Sequence, residues 1–449
     1  MTAARPGNAA SARRQRMAVV GGGWAGLSAA VHATAAGLDV TVFEMARQWG
    51  GRARSRADDG LDNGQHILLG ACSATLALMR RVGVDPEQAL LRQPLALCRP
   101  DGRGLRLSSG PAAWAFTHAV LRCTAWTLPE RLRLLARCAR WLAAGLRSEP
   151  DRSVQALCDG LPQAVRQLLI DPLCVAALNT PVDEASAAVF LRVLRDGLFG
   201  GPGASDLLLP RRPLQELLPA PATRWLDQHG TTLHAGQRVM EIVATPSGFA
   251  VDGVAFDGVV LACPAGEAAR LVQDLAPQWS AQAKALRFEP IVTVHVQAAG
   301  LQPLPLPMLA LQESDEAPAQ YVFDHGRLGG PPGRLAFVIS GAGAWVERGL
   351  AATTAAVLAQ AAGELGRFGW QAGHTKVLAT IAERRATFRS TPGLQRPRAL
   401  IVPGLFAAGD YVDGPYPATL EGAVRAGAFA AAACTTAMQN TVSPPRTMP

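Results

Sequence analysis

The chain has 449 residues, 49% of them apolar and 17% charged, which excludes a disordered chain and allows a large core in two or three domains. The net charge is +8, and all but two of the 43 basic residues are arginine. The basic residues are scattered and aromatics are few, so nucleic acid is a poor partner, and cofactor phosphates or an anionic membrane surface fit better. Eight cysteines show no CxxC spacing, which fits small buried thiols in a reducing compartment and neither a zinc site nor a disulfide framework. No run of about 20 residues is free of charges and breakers, so no membrane-spanning helix is expected.

In chain order, residues 1–16 carry four arginines with no apolar stretch behind them and read as a disordered tail, not a secretory leader. Met17–Gly22 is a short apolar strand that runs into Gly21-Gly22-Gly23-Trp24-Ala25-Gly26, a GxGxxG match. An Ala-rich helix follows to Ala36, Gly37 ends it, and Asp39–Phe43 is a second strand closed by Glu44. Together these form the βαβ context of a dinucleotide site. Gly21 allows the tight turn, Gly23 admits the pyrophosphate, and Gly26 lets helix and strand pack closely. The helix start, with Trp24 and Ala25, presents free N–H groups to phosphate. Glu44 can accept from both ribose hydroxyls and would repel a 2′-phosphate. Trp49-Gly50-Gly51-Arg52 then offers a glycine turn and a guanidinium suited to a pyrophosphate or a flavin edge.

Residues 112–147 are helical, with a capping-box start at Thr127–Glu130 and apolar residues at helical spacing. Five arginines from Arg131 to Arg147 and three tryptophans accompany them. This stretch suits either an interfacial membrane helix or a core-facing helix with a solvated arginine face. Leu157–Leu198 reads as a second helical block, mostly apolar, that would favour a hydrocarbon over a sugar or an amine. Gln237–Val243 and Phe256–Pro264 read as strands, as do 286–296, 335–340 and 376–379. Gly404–Asp410 is a strand ending in Gly409-Asp410, and Pro417-Ala418-Thr419-Leu420 starts an Ala-rich helix to about Met438.

The glycine fingerprint, the Gly51-Arg52 turn and the Gly409-Asp410 strand end, in that order, resemble the FAD-dependent amine oxidase and phytoene desaturase superfamily. The segment Leu61-Asp62-Asn63-Gly64-Gln65-His66-Ile67-Leu68-Leu69-Gly70 is narrower and resembles the hydroxysqualene dehydroxylases, also called squalene-associated FAD-dependent desaturases, as do Ala382–Pro392 and Pro417–Thr419. The resemblance implies an α/β chain, with a Rossmann-like FAD-binding domain and an inserted α+β substrate domain. The FAD domain is expected from 17–95, 205–265 and 395–440, a helical substrate or membrane-facing part from 96–204, and a substrate-domain sheet with helices from 266–394. It further implies that Asp410 holds the ribityl chain, that the helix begun by Thr419 and Leu420 points at the flavin pyrimidine ring, and that Val239 lends backbone groups to the adenine.

The implied reaction is removal of the allylic hydroxyl of hydroxysqualene to give squalene, in hopanoid or squalene synthesis. Such a reaction needs one proton donor in an otherwise dry pocket, and His66, Asp62 and Tyr416 are the candidates. Each has an alternative role: His66 as a packed histidine, Asp62 as a loop-fixing acid and Tyr416 as a packing ring. The alternatives to the reaction itself are a carotenoid desaturase of the phytoene type and a non-catalytic isoprenoid carrier. At about 0.8 kcal/mol per CH2, moving a thirty-carbon lipid through water costs on the order of 20 kcal/mol. The expected partners are therefore the lipid substrate, a membrane surface and upstream squalene-synthase-like enzymes. The expected location is cytoplasmic, peripheral on the inner face of the membrane.

Overall fold

The computed structural model describes residues 14–442. Most of the expected tail, residues 1–13, lies outside the described residues. Its last residue, Arg16, is not tail: it opens the first strand, and its backbone N–H donates to Asp257 Oδ2 at 2.7 Å.

That strand, Arg16–Val20, lies at the centre of a six-stranded sheet. The order across it is Leu400–Val402, Leu405–Ala407, Gly258–Leu261, Arg16–Val20, Asp39–Glu44, Thr232–Ala235. Every pairing is parallel except the outer hairpin of the first two. The central strands are buried on both faces and correspondingly apolar, as a parallel sheet requires. Two helices cover one side: Trp24–Ala35, and the closing helix Leu420–Val442. They cross closely, because a Cβ at Gly427 would overlap the carbonyl oxygen of Ala25. Ser28 Oγ ties them further by donating to the Val424 carbonyl at 2.8 Å.

The expected strand Gln237–Val243 forms only in part. The ladder begins at Ile242, in a three-stranded meander of Ile242–Thr245, Gly248–Val251 and Val254–Phe256. The cause is local: Asp252 Oδ1 accepts the N–H groups of Met240 and Glu241 at 2.9 and 3.0 Å and draws them away from strand pairing.

A second sheet of five antiparallel strands has the order Met308–Ala310, Tyr321–Asp324, Arg334–Ile339, Phe288–Ala298, Thr375–Phe388. One face carries Val292, Val294 and Val296 and packs against helix Leu350–Leu365. The other carries Met308, Tyr321, Phe323, Ala336 and Val338 and meets the helices of the 112–198 region. Residues 112–147 form two helices, Ala112–Arg122 and Leu128–Ala143. The expected block Leu157–Leu198 is broken into short helices with π-helical turns at Arg166–Ile170 and Leu194–Leu198. Its breaks fall at Pro162 and at Asn179, which is left-handed at φ 47°. Asn179 also pins this region to the sheet, donating to the Glu289 carbonyl at 3.1 Å and accepting from Gly341 N–H at 2.6 Å. No described helix is long and apolar enough to cross a membrane.

Candidate active site

The glycine turn is shaped by backbone contact. Gly21 sits at φ 113°, and a Cβ there would lie 2.6 Å from the Ala262 carbonyl. A Cβ at Gly26 would overlap the Gly21 carbonyl oxygen, so the helix can approach the strand only as glycine. At Gly23 the nearest atom to such a Cβ is 3.8 Å away, which leaves that side of the loop open for a diphosphate. Glu44 is buried at the end of its strand, and its two oxygens accept Gly22 N–H at 2.6 Å and Ala46 N–H at 2.8 Å. The acid is therefore fixed beside the fingerprint loop.

Residues 49–56 lie on this loop. Gly50 N–H donates to Gly22 O at 2.9 Å, and the Trp24 indole donates to Ala53 O at 2.8 Å. A Cβ at Gly22 would strike the Trp49 ring, a contact that sequence reasoning missed. Arg52 then reaches across the molecule: Nη2 meets Asp410 Oδ1 at 2.6 Å, and Nη1 donates to Ala386 O at 2.7 Å. Thus Gly51-Arg52 and Gly409-Asp410, 358 residues apart for the ion pair, form one unit. Thr419 Oγ1 accepts Gly422 N–H at 3.0 Å and caps the closing helix, which Leu420 opens. Glu421, also missed in the sequence, is buried and accepts Ala74 N–H, Thr75 N–H and the Thr75 hydroxyl at 3.0, 2.8 and 2.7 Å. Val239 is buried, and its carbonyl accepts the Arg270 guanidinium at 2.8 Å.

The 61–70 block folds back on the Arg52 turn. Asn63 Oδ1 accepts Arg54 N–H at 3.1 Å, and its amide donates to the Arg52 carbonyl. Asp62 Oδ1 accepts the Ser55 hydroxyl at 2.6 Å and Leu214 N–H at 3.0 Å. Burial raises the Asp62 carboxyl, and these two bonds oppose the shift. Its oxygen is thus engaged in holding the loop.

His66 has a different environment. Its Nδ1 lies 2.9 Å from Gly64 O, so that nitrogen carries the hydrogen and a neutral ring leaves Nε2 as an acceptor. Burial holds the His66 pKa below its ordinary value, and the Arg52 charge adds to the effect. Thr293, on the sheet face opposite, comes within 3.9 Å of the position a Gly64 Cβ would take. Thr293 Oγ1 and Gln65 Oε1 are buried without a hydrogen-bond partner. Unpaired polar atoms are costly in a dry interior and mark a place where a ligand's polar groups fit. The chain neighbours of this corner, Ile67 beside His66 and Ile291 on the strand of Thr293, are apolar and half-buried.

Tyr416 lies elsewhere. Its ring is held between Arg192 and Arg425, at 5.5 and 5.6 Å, on the seam between the helical region and the closing helix. It lines a cleft of about 140 Å³ with Val189, Phe388, Ser390 and Arg396. That is well below the roughly 300 Å³ lower bound of ordinary small-molecule sites. The structure therefore brings His66 and Asp62 together on one loop and leaves Tyr416 apart. The eight cysteines are free, and burial pushes those at 72, 138, 158, 263 and 434 up to about 12, which leaves them poor nucleophiles. Among the described residues, no cluster of three or more His, Cys, Asp or Glu side chains can hold a metal.

The open glycine turn, the fixed Glu44 beside it and the buried Arg52–Asp410 pair are chemically suited to a dinucleotide cofactor such as FAD. Comparison with known proteins agrees. The family described as flavin containing amine oxidoreductase matches residues 24–435. The chain is 30% identical over 440 residues to a hydroxysqualene dehydroxylase of Rhodopseudomonas palustris, covering 92% of this chain and 96% of that one. It is 29% identical, with the same coverage, to one of Sinorhizobium fredii. Among solved structures it resembles a protoporphyrinogen oxidase assigned in Exiguobacterium, with a TM-score of 0.67, 16% identity, and coverage of 95% of this chain and 99% of that one. The protein is an FAD-dependent oxidoreductase with a Rossmann-like nucleotide fold, and it belongs to the hydroxysqualene dehydroxylase family within the flavin-containing amine oxidoreductases.

Proposed function

We propose that this enzyme removes the allylic hydroxyl of hydroxysqualene reductively, giving squalene and water in hopanoid or squalene synthesis. The observation that carries the reading is the corner formed by His66, Gln65 and Thr293. It offers the unpaired buried atoms Gln65 Oε1 and Thr293 Oγ1 beside the apolar side chains of Ile67 and Ile291, with His295 Nδ1 on the strand of Thr293 and His325 Nε2 also unpaired. A hydrocarbon with a single hydroxyl matches that pattern, and an amine or a sugar does not.

The reaction balances as alcohol, proton and hydride going to hydrocarbon and water. Bound and reduced, FAD supplies the hydride. In this reading Glu44 takes the ribose hydroxyls, the turn from Gly21 to Gly26 with Trp24 and Ala25 takes the diphosphate, and Gly51 brings the Arg52 guanidinium alongside. Gly409 and Asp410 take the ribityl chain. Thr419 and Leu420 set the closing helix with its positive end toward the pyrimidine edge. Because the Val239 carbonyl is already engaged by Arg270, the contribution of Val239 to the adenine falls on its amide. Gln65 and Thr293 hold the substrate hydroxyl. His66 delivers the proton from Nε2 while Gly64 O fixes the ring through Nδ1. Protonation of the oxygen lets the allylic C–O bond ionise, and the half-buried apolar wall keeps water from the cation. Asp62 positions this loop through Ser55 and Leu214. Tyr416 keeps the seam closed between two arginines.

The lipid reaches the enzyme from a membrane surface or directly from a squalene-synthase-like enzyme, since transfer through water is too costly. We place the enzyme in the cytoplasm, peripheral on the inner face of the membrane. The test pairs two anaerobic incubations: reduced enzyme with hydroxysqualene, and oxidised enzyme with phytoene. Squalene in the first and no desaturation in the second is expected. Desaturated phytoene with no squalene would replace this reading by the carotenoid one. Purified protein without flavin absorbance would point to the carrier.

A further inference from the structure

The two helices Ala112–Arg122 and Leu128–Ala143 turn one face inward and leave the other uncovered among the described residues. Leu134, Cys138 and Trp141 are buried in the helical core. On the outer side Trp114 is 74% exposed, Leu128 58%, Leu132 53% and Leu121 43%. Trp114 and Leu121 are seven residues apart and share one side of the first helix, and Leu128 and Leu132 are one turn apart on the second. Arg131 joins the two helices, donating to Leu121 O at 2.7 Å and Trp126 O at 2.9 Å, so Leu121 lies beside the first turns of the second helix. Charge here has one sign. Residues 112–147 contain six arginines and a single acid, Glu130, whose carboxylate is engaged with the Thr127 N–H and hydroxyl at 2.8 and 2.9 Å.

The arginines divide into two groups. Arg131 is used internally, and so is Arg137, whose Nη1 donates to Leu157 O at 2.7 Å and whose second Nη group donates to Asp159 O. Arg122, Arg133, Arg140 and Arg147 are exposed. An exposed tryptophan and leucines beside free arginines, with no free acid in the segment, are complementary to a bilayer bearing anionic headgroups.

We propose that this corner is the membrane-docking surface, with Trp114, Leu121, Leu128 and Leu132 entering the acyl boundary and Arg133 and Arg140 pairing with anionic lipid. The inference rests on the reading of a lipid substrate and adds to it the surface by which the enzyme meets the lipid phase.

The test is co-sedimentation of the flavin-loaded enzyme with phosphatidylcholine vesicles, with and without phosphatidylglycerol, at physiological salt. Three proteins are compared with the parent: Trp114→Ser/Leu128→Ser/Leu132→Ser, Arg133→Glu/Arg140→Glu, and Val254→Ser as an exposed apolar control on the small meander. The parent and the control are expected to bind vesicles containing phosphatidylglycerol and to leave pure phosphatidylcholine largely unbound. Each multiple variant should lose about tenfold or more in vesicle partitioning. Flavin absorbance and turnover of detergent-dispersed hydroxysqualene should stay at the parent level. Parent-like vesicle binding by the multiple variants, or no vesicle binding by the parent, overturns the proposal. If the triple variant fails to fold, Trp114→Ser alone and Arg133→Gln/Arg140→Gln decide on the same criterion. Detergent-dispersed turnover reports the reaction separately, so failure of that reading is distinguishable from failure of the docking surface.

Discussion

Glu44, Asp410 and Glu421 are buried carboxylates in the nucleotide half of the molecule, and each meets a defined donor: the Gly22 amide, the Arg52 guanidinium, and the amides of Ala74 and Thr75. Across the seam, the sheet face of Phe323, Ala336 and Val338 meets the helical region mainly through apolar contact, and Thr293 on that sheet and Gln65 on the 61–70 loop carry unpaired polar atoms. The contrast shows a division of labour. In the cofactor half, directional contacts fix each of these three carboxylates, as suits holding a highly charged ligand in one pose. The other half relies mainly on apolar contact, pinned by the hydrogen bonds of Asn179 and of the Tyr321 hydroxyl, and in the proposed reading it accepts a flexible hydrocarbon.

If this division is right, damage to the two halves has different signatures. The largest effect is expected for Gly26→Ala, whose new methyl overlaps the Gly21 carbonyl: the protein should purify with little or no flavin, read as the ratio of visible to ultraviolet absorbance. Glu421→Ala comes next, because it strands the buried amide and hydroxyl of Thr75 and the half-buried amide of Ala74. A loss of about 3 kcal/mol is expected in urea unfolding, with flavin chemistry retained in the protein that remains folded.

On the substrate side, His66→Gln should leave flavin content unchanged and lower turnover by about 10²-fold. The pH profile carries the sharper signal. The His66 pKa is lowered, so the imidazolium able to donate is present only at the acid end. Turnover in the parent should fall as pH rises through a value below 6.5, and this limb should vanish in the variant. The smallest effect concerns stability. Burial lowers His295 and His325 to about 4 from 6.5, so the unfolded chain binds more protons between those values. Stability is at its full value above 6.5 and should decline as pH falls toward 4. Replacing His325 by Asn should flatten that decline in thermal melts.

The same division explains how much of the site is legible in the sequence. Gly21, Gly23 and Gly26 act through backbone geometry, and Glu44, Arg52 and Asp410 stand at strand ends and turns, so fixed spacing identifies them without knowledge of their partners. Trp49, Glu421 and Thr293 gain their roles from residues elsewhere in the chain: Trp49 lies on Gly22, Glu421 on Ala74 and Thr75, and Thr293 beside Gly64. Nothing local marks them. Gly427 was the one available clue to the tight helix crossing, as a glycine inside an otherwise Ala-rich helix. The helical character of the 157–198 block is legible, but its breaks are not, because the left-handed turn at Asn179 is fixed by contacts to Glu289 and Gly341. The strand boundary at Ile242 shifted for a similar reason, through an aspartate ten residues downstream.

The central claim is that the enzyme consumes one hydroxyl for each reduced flavin. The direct measurement is a single anaerobic turnover of reduced enzyme with limiting hydroxysqualene, following visible absorbance and extracted lipid together. One squalene formed for each flavin reoxidised, with neither change when squalene replaces hydroxysqualene, is the predicted result. Reoxidation without squalene, or squalene formed while the flavin stays reduced, would contradict it.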